Sequence, residues 1–239
     1  MELDYNNDGK MDLYITCGAT WMYNCDDVLL KNTGIAFVDV SREAGIPLGD
    51  NHAKEGAVGD FNLDGFVDIF IPAWGGSKRG DQPNLLLVNQ GNGTFQSITA
   101  HGIGASENVE NLAGGGAGSF LSYEEGRLDI IMNFEYPGPW KYFKNLTPKG
   151  SNQFLVLKVD SDEQVSTAVG ARVEAWIGNH RMTRRVGHCP SLTQSVPTWV
   201  HFGLGMATYV DRVQIFYVGG LVRVFQNVSA GFHAVSELF

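Results

Sequence analysis

The sequence predicts an all-β chain, and three observations carry that prediction. A loop followed by an apolar strand occurs twice in register: Asp4 to Asp60 and Asp12 to Asp68 are each 56 residues apart, which marks a repeated structural unit. Thirty glycines in 239 residues, with few helical periodicities, call for short strands joined by tight turns. From Gln153 onward, seven short segments alternate well enough for half-buried strands.

The loop of the second repeat, Gly59-Asp60-Phe61-Asn62-Leu63-Asp64-Gly65-Phe66-Val67-Asp68, has the spacing of a cation cradle. Asp60, Asn62 and Asp64 stand at positions 1, 3 and 5, Gly65 turns the chain at position 6, Phe66 offers its backbone carbonyl at position 7, and Asp68 closes at position 9. Alternate oxygens then face one centre, which suits a hard ion taking about six to eight oxygens, calcium above all. Position 12 is Ile71, in an apolar strand, so the bidentate Glu and the helix of an EF-hand are absent. The first repeat places Asp4, Asn6, Asp8, Gly9, Lys10 and Asp12 at the same positions. A third copy is worn: Gly126-Arg-Leu-Asp129 aligns, but Leu121-Ser-Tyr-Glu-Glu125 replaces the early carboxylates. Two calcium sites are expected, with the third weak or empty.

After each loop-strand comes an Asx-bounded apolar strand, Asp27 to Asn32 and Asn84 to Asn89, then a turn and a strand led by Phe37 or Phe95. This text resembles FG-GAP/VCBS repeats, the blades of integrin-type β-propellers, and the resemblance implies a partial propeller over residues 1–146, in two to three blades, with cations at its rim. Residues 147–152 read as a turn-rich linker. Residues 153–239 read as a small β-sandwich, from seven strands with turn punctuation, the last expected over Ala234–Leu238. There Gly170-Ala-Arg-Val173, Val200-His-Phe-Gly-Leu-Gly205, Val210-Asp-Arg-Val-Gln-Ile215 and Asn227-Val-Ser-Ala230 are similar to the ASPIC/UnbV domain that follows VCBS repeats in the cartilage acidic protein family. Two departures stand out: Tyr217-Val-Gly-Gly220 where that family has Trp-Pro-x-Gly, and Gly187-His-Cys-Pro190 in place of a glycine-rich segment.

The net charge of −9 arises partly in the repeat loops. Arg181, Arg184 and Arg185 form only a short cluster, so nucleic acid is not an expected partner. No run is long enough for a transmembrane helix, and Met1-Glu-Leu-Asp lacks the regions of a signal peptide. The chain opens almost inside a cation loop, so the strand before it is expected to be missing and the sequence to be a fragment, a processed product or one part of a split assembly. Two and a half blades leave an open edge, which predicts a homo- or hetero-oligomer. Cys17 and Cys25 flank one inter-strand loop; a disulfide and free thiols are both open, and Cys189 is left over. Asn92-Gly-Thr94, Asn145-Leu-Thr147 and Asn227-Val-Ser229 match the glycosylation pattern, which matters only in a eukaryotic secretory pathway.

Nothing in the sequence obliges an enzyme. His201, between Val200 and Phe202 on an alternating strand, reads as a packed histidine rather than a base. Ser191 or Ser195 with His188 or His201 lacks a nucleophile elbow, and adjacent Glu124 and Glu125 face opposite sides of a strand. The resemblance implies a calcium-bearing, non-enzymatic recognition or adhesion protein, extracellular or periplasmic, with a protein or glycan ligand. Trp21, Trp74 and Trp140 fall in equivalent loops, where they either cap blade ends or stack on sugar. Lectins and polysaccharide lyases with propellers of this kind supply the alternative, and a structural subunit completing its propeller with another chain is the second.

Overall fold

A computed structural model describes residues 1–17, 26–47, 56–72, 84–98, 114–122, 126–134, 140–187 and 198–238. It is nearly all β, with no α-helix among those residues. The first sheet is an antiparallel meander of β1 (Glu2–Leu3), β2 (Asp12–Ile15), β3 (Val28–Asn32) and β4 (Phe37–Asp39). The second repeats it with β5 (Ala57–Gly59), β6 (Asp68–Ile71), β7 (Leu85–Asn89) and β8 (Phe95–Ile98). A third sheet has β9 (Gly114–Ser122), β10 (Arg127–Phe134) and β11 (Trp140–Phe143).

Pairing register repeats with the sequence. Tyr14 faces Leu29, Phe70 faces Leu86, and Ile131 faces Tyr142. The strand expected to be missing before the first loop is present in short form: Glu2–Leu3 pairs with Leu13 and Asp12. Two residues satisfy that edge because the Met1 ammonium and carbonyl also bond to Tyr14.

The small sheets stack face to face in a propeller-like arrangement. One apolar layer, with Tyr14, Leu29, Ile69, Ile71 and Leu87, lies between the first and second sheets. Another, with Phe70, Leu128, Ile130 and Met132, lies between the second and third. Apolar residues point both ways from the strands of the second sheet because both of its faces are covered.

Beyond the turn at 144–152, β12 (Gln153–Lys158), β13 (Arg172–Ile177), β14 (His180–Arg185), β15 (Trp199–Gly205), β16 (Tyr209–Phe216), β17 (Val222–Ser229) and β18 (Gly231–Ala234) form two sheets, ordered β15-β12-β18 and β14-β13-β16-β17. Leu155, Leu157, Val173, Met182, Phe202, Val213 and Ile215 fill the space between them. The strand expected over Ala234–Leu238 lies earlier. β18 pairs in parallel with β12 from Gly231 to Ala234, and Val235–Glu237 is a 3₁₀ turn. Gly231, at a φ of 122°, supplies the reversal that lets β18 follow β17 so closely.

Candidate metal centre

The two sequence-predicted loops fold alike, bond for bond. Asp4 Oδ1 accepts from the Asp8 N–H at 3.0 Å and Asp4 Oδ2 from the Gly9 N–H at 2.9 Å. Asp60 does the same with Asp64 at 3.0 Å and Gly65 at 2.7 Å. Asn6 Oδ1 and Asn62 Oδ1 accept from those same position-5 amides at 3.2 and 3.1 Å. Asp8 and Asp64 accept from the position-7 amides of Lys10 and Phe66 at 2.9 and 2.8 Å. Such Asx turns form because short side chains reach backbone two to five residues on. Positions 4 and 6 take left-handed backbone in both loops, Asn7 and Gly9 in one and Leu63 and Gly65 in the other.

This geometry brings the oxygens of positions 1, 3 and 5 around one turn. Among the described residues, no three His, Cys, Asp or Glu side chains converge on one point. Asp12 and Asp68, at position 9, sit deeper and bracket the sheet. Asp12 accepts from the Tyr5 and Asn32 amides at 3.2 and 2.7 Å, and Asp68 from those of Phe61 and Asn89 at 3.0 and 2.9 Å. Asp129 keeps the third-strand half of this bracket where the early carboxylates are gone, with the Asn145 amide at 2.7 Å and the Tyr142 hydroxyl at 2.8 Å. Lys10 adds an ion pair to Asp8 at 3.5 Å, and the Phe66 ring lies against His180.

Asp4, Asp12, Asp60 and Asp68 are all buried. Burial pushes Asp4 up to about 6, against the Gly9 amide bond, and Asp12 up to about 7. Asp60 rises to about 7 through burial and then through the neighbouring Asp64 charge. Asp68 is raised as well, first by burial and next by Asp60. Crowded, desolvated carboxylates favour whatever neutralises them, a proton or a cation.

Sequence reasoning missed the groups that join these loops to the rest of the molecule. Asn89 Nδ2 donates to Val67 O at 3.1 Å in its own sheet and to Tyr5 O at 2.7 Å in the first loop. Asn145 repeats this with Leu128 O at 3.0 Å and Phe61 O at 2.7 Å. The signal was there: Asn32, Asn89 and Asn145 each close the third strand of a repeat.

The sandwich covers the loop face. Gly203 N–H donates to Asp60 Oδ2 at 3.1 Å, Gly205 N–H to Leu63 O at 2.9 Å, and Arg181 to Asp8 O. Arg184, read from sequence as part of a short arginine cluster, is half-buried, with its Nη2 enclosed between the layers. Its charge lies near Asp60, Asp4 and Asp68, its Nε donates to His201 O at 3.2 Å, and its guanidinium lies over the Phe202 ring. His201 is a packed histidine whose Nε2 meets Gly126 O at 2.8 Å. A cavity of about 100 Å³ remains here, lined by Asp4, Asp60, Leu128, Arg184, Trp199 and His201.

Other expected features divide in two. Cys17 is disulfide-bonded, while Cys25 and Cys189 lie outside the described residues. Trp21, Trp74, Glu124, Glu125, His188, Ser191 and Ser195 lie outside them as well. Trp140 is 70% exposed, on an open sheet face beside Tyr142.

A profile of the family described as ASPIC and UnbV matches residues 161–234, which covers β13 to β18. No curated protein matches the chain.

Proposed function

We propose that the chain is a non-enzymatic propeller module of the FG-GAP/VCBS type, held rigid by two calcium ions and used in extracellular recognition or adhesion. The observation that carries this reading is the duplication of one loop, bond for bond, around buried carboxylates that outnumber their cations. Three buried carboxylates from the two loops, Asp60, Asp4 and Asp68, share one guanidinium, that of Arg184. The donor set is all oxygen, which fits calcium. Asp4, Asn6, Asp8, Lys10 O and Asp12 would hold one ion, and Asp60, Asn62, Asp64, Phe66 O and Asp68 the other. Bound calcium supplies positive charge and no bond-making chemistry, so its binding energy becomes folding energy for the blade.

Thermal unfolding with calcium and with chelator tests this. At a calcium concentration about 100 times Kd, the stabilisation expected is about 2.7 kcal/mol per site. Asp64→Ala should abolish the second site's share, read as one calcium fewer by titration calorimetry. Unchanged melting of the wild-type chain on chelation would remove the proposal. The glycan reading has a single observation in its favour, the exposed Trp140, which stands on an open sheet rather than in a cleft.

A further inference from the structure

We propose that Arg184 is a built-in counter-ion shared by the two loops, and that it sets how tightly both of them take calcium. The inference rests on the calcium reading above and adds the part that the sandwich plays in it. It starts from a break in pattern. Along β14 and into the residue after it, Met182 and Val186 are fully buried in the sandwich core, and Arg184 stands between them at the same parity, opposite Val173. Alternation calls for an apolar side chain there. A guanidinium in such a place is costly unless opposite charge lies close by.

That charge comes from the blades. Arg184 Nε donates to His201 O at 3.2 Å and Nη1 to Thr183 O at 2.9 Å, which holds the guanidinium over the Phe202 ring. Nη2 is enclosed and has no hydrogen-bond partner. Arg184 lines the cavity between sandwich and blades together with Asp4 of the first loop and Asp60 of the second. Its attraction to Asp4, Asp60 and Asp68 acts across that space rather than through a contact ion pair among the described residues, so their oxygens are left to the loop amides and to an ion. The other two arginines of the cluster differ. Arg181 and Arg185 each have a carboxylate partner outside the cradles, Glu174 at 3.9 Å and Glu2 at 3.3 Å.

The consequence is electrostatic. The affinity of an oxygen-lined loop for calcium follows the charge of its ligands. A fixed positive charge beside the position-1 carboxylates of both loops offsets their repulsion while the loops are unloaded, and it opposes the ion that arrives. Arg184 therefore stabilises the unloaded loops and weakens calcium binding at both. Because β14 delivers it, the sandwich is the part of the molecule that sets the affinity of the metal centre.

Titration calorimetry with calcium chloride on the intact chain, at one pH and ionic strength, tests this with two variants. Arg184→Met keeps the length of the side chain without its charge, and Arg184→Lys keeps the charge. Arg184→Lys is expected to bind as the wild type does, and Arg184→Met to bind both ions tighter by at least about fivefold, the low end of couplings between linked sites. Arg172→Met, on the outer face of the same sheet over Phe216, is expected to leave both affinities unchanged. Urea unfolding in chelator gives a readout without metal: Asp60→Asn should cost less in the Arg184→Met chain than in the wild type, the coupling expected of a charge pair. Equal or weaker calcium affinity in a folded Arg184→Met chain overturns the proposal, and so does an additive cycle in chelator. If Arg184→Met unfolds in chelator, calcium is expected to fold it by supplying the missing charge; a variant that stays unfolded in calcium overturns the proposal too. A wild-type chain that binds no calcium removes the calcium reading and the affinity claim with it, and the cycle in chelator then decides the counter-ion role alone.

Discussion

Asn89 and Asn145 each tie three pieces of backbone with one side-chain amide. The oxygen accepts from the chain two residues on, Gly91 at 3.0 Å and Thr147 at 2.9 Å, while the nitrogen bridges two carbonyls in successive sheets. Deleting such a clamp leaves buried carbonyls unpaired, at about 1–3 kcal/mol for each group stranded. Asn89→Ala and Asn145→Ala are therefore expected to cost about 3 kcal/mol each. Asn32→Ala, which bonds only within its own sheet, should cost about 1 kcal/mol. Urea unfolding of the three variants measures this, and equal losses would show that the across-sheet bond contributes nothing. His201 sets a pH dependence. Burial, opposed by the Gly126 carbonyl bond and aided by the nearby Arg184 charge, holds its pKa down at about 4, against an ordinary 6.5. The unfolded chain then takes up a proton before the folded one does. His201 leaves stability untouched above pH 6.5 and lowers it progressively as pH falls toward 4. At about 1.36 kcal/mol per pKa unit, the loss approaches 3 kcal/mol. His201→Gln should remove that slope while the carboxylates keep theirs, so the difference between the two stability–pH curves isolates it.

At the level of elements, the loops were legible because their information is local. Side chains spaced two apart, with a glycine at position 6, specify Asx turns whatever surrounds them. The blade meander was legible for a related reason, since each strand is bounded by Asp, Asn or Gly and the register recurs with the text. The role of position 9 was hidden. Asp12 and Asp68 fit a cation cradle by spacing, yet each also spans the start of its loop and the end of the third strand. Asp129 shows half of that role, the bonds to the end of the third strand, surviving where the cradle has decayed. The across-sheet bonds were hidden too, because each joins residues 84 apart in sequence. β1 escaped notice because two residues carry no periodicity. β18 was displaced because Gly231 starts a new strand directly after β17, and a parallel pairing with β12 leaves no local mark.

Across the whole molecule, the decisive contact is the one between the sandwich and the loops of the blades. The sandwich has its own core between its two sheets. Its outer face nevertheless completes another layer, in which Val156, Phe154 and Trp199 pack with Phe61, Phe70, Leu128 and Ile130 of the blades. Gly203 is one of the places where the two parts come into tight backbone contact. A Cβ there would overlap the Leu63 backbone and Asp60 Oδ2, which the Gly65 N–H holds in place. Strain of this kind costs about 1–3 kcal/mol when the surroundings yield, and more when they cannot. Because Gly203 N–H also holds Asp60 in its loop, Gly203→Ala should loosen the docking and the second loop together. The expected result is a wild-type chain that unfolds in one calorimetric transition, against a variant that unfolds in two. The upper transition of the variant belongs to the sandwich, which keeps its core, and the lower to the blades, which lose their cover. Small-angle scattering of the variant should show a larger radius before the first transition. One transition at an unchanged temperature in the variant would mean that the blades stand without the sandwich, and that the Gly203–Asp60 contact is incidental to both.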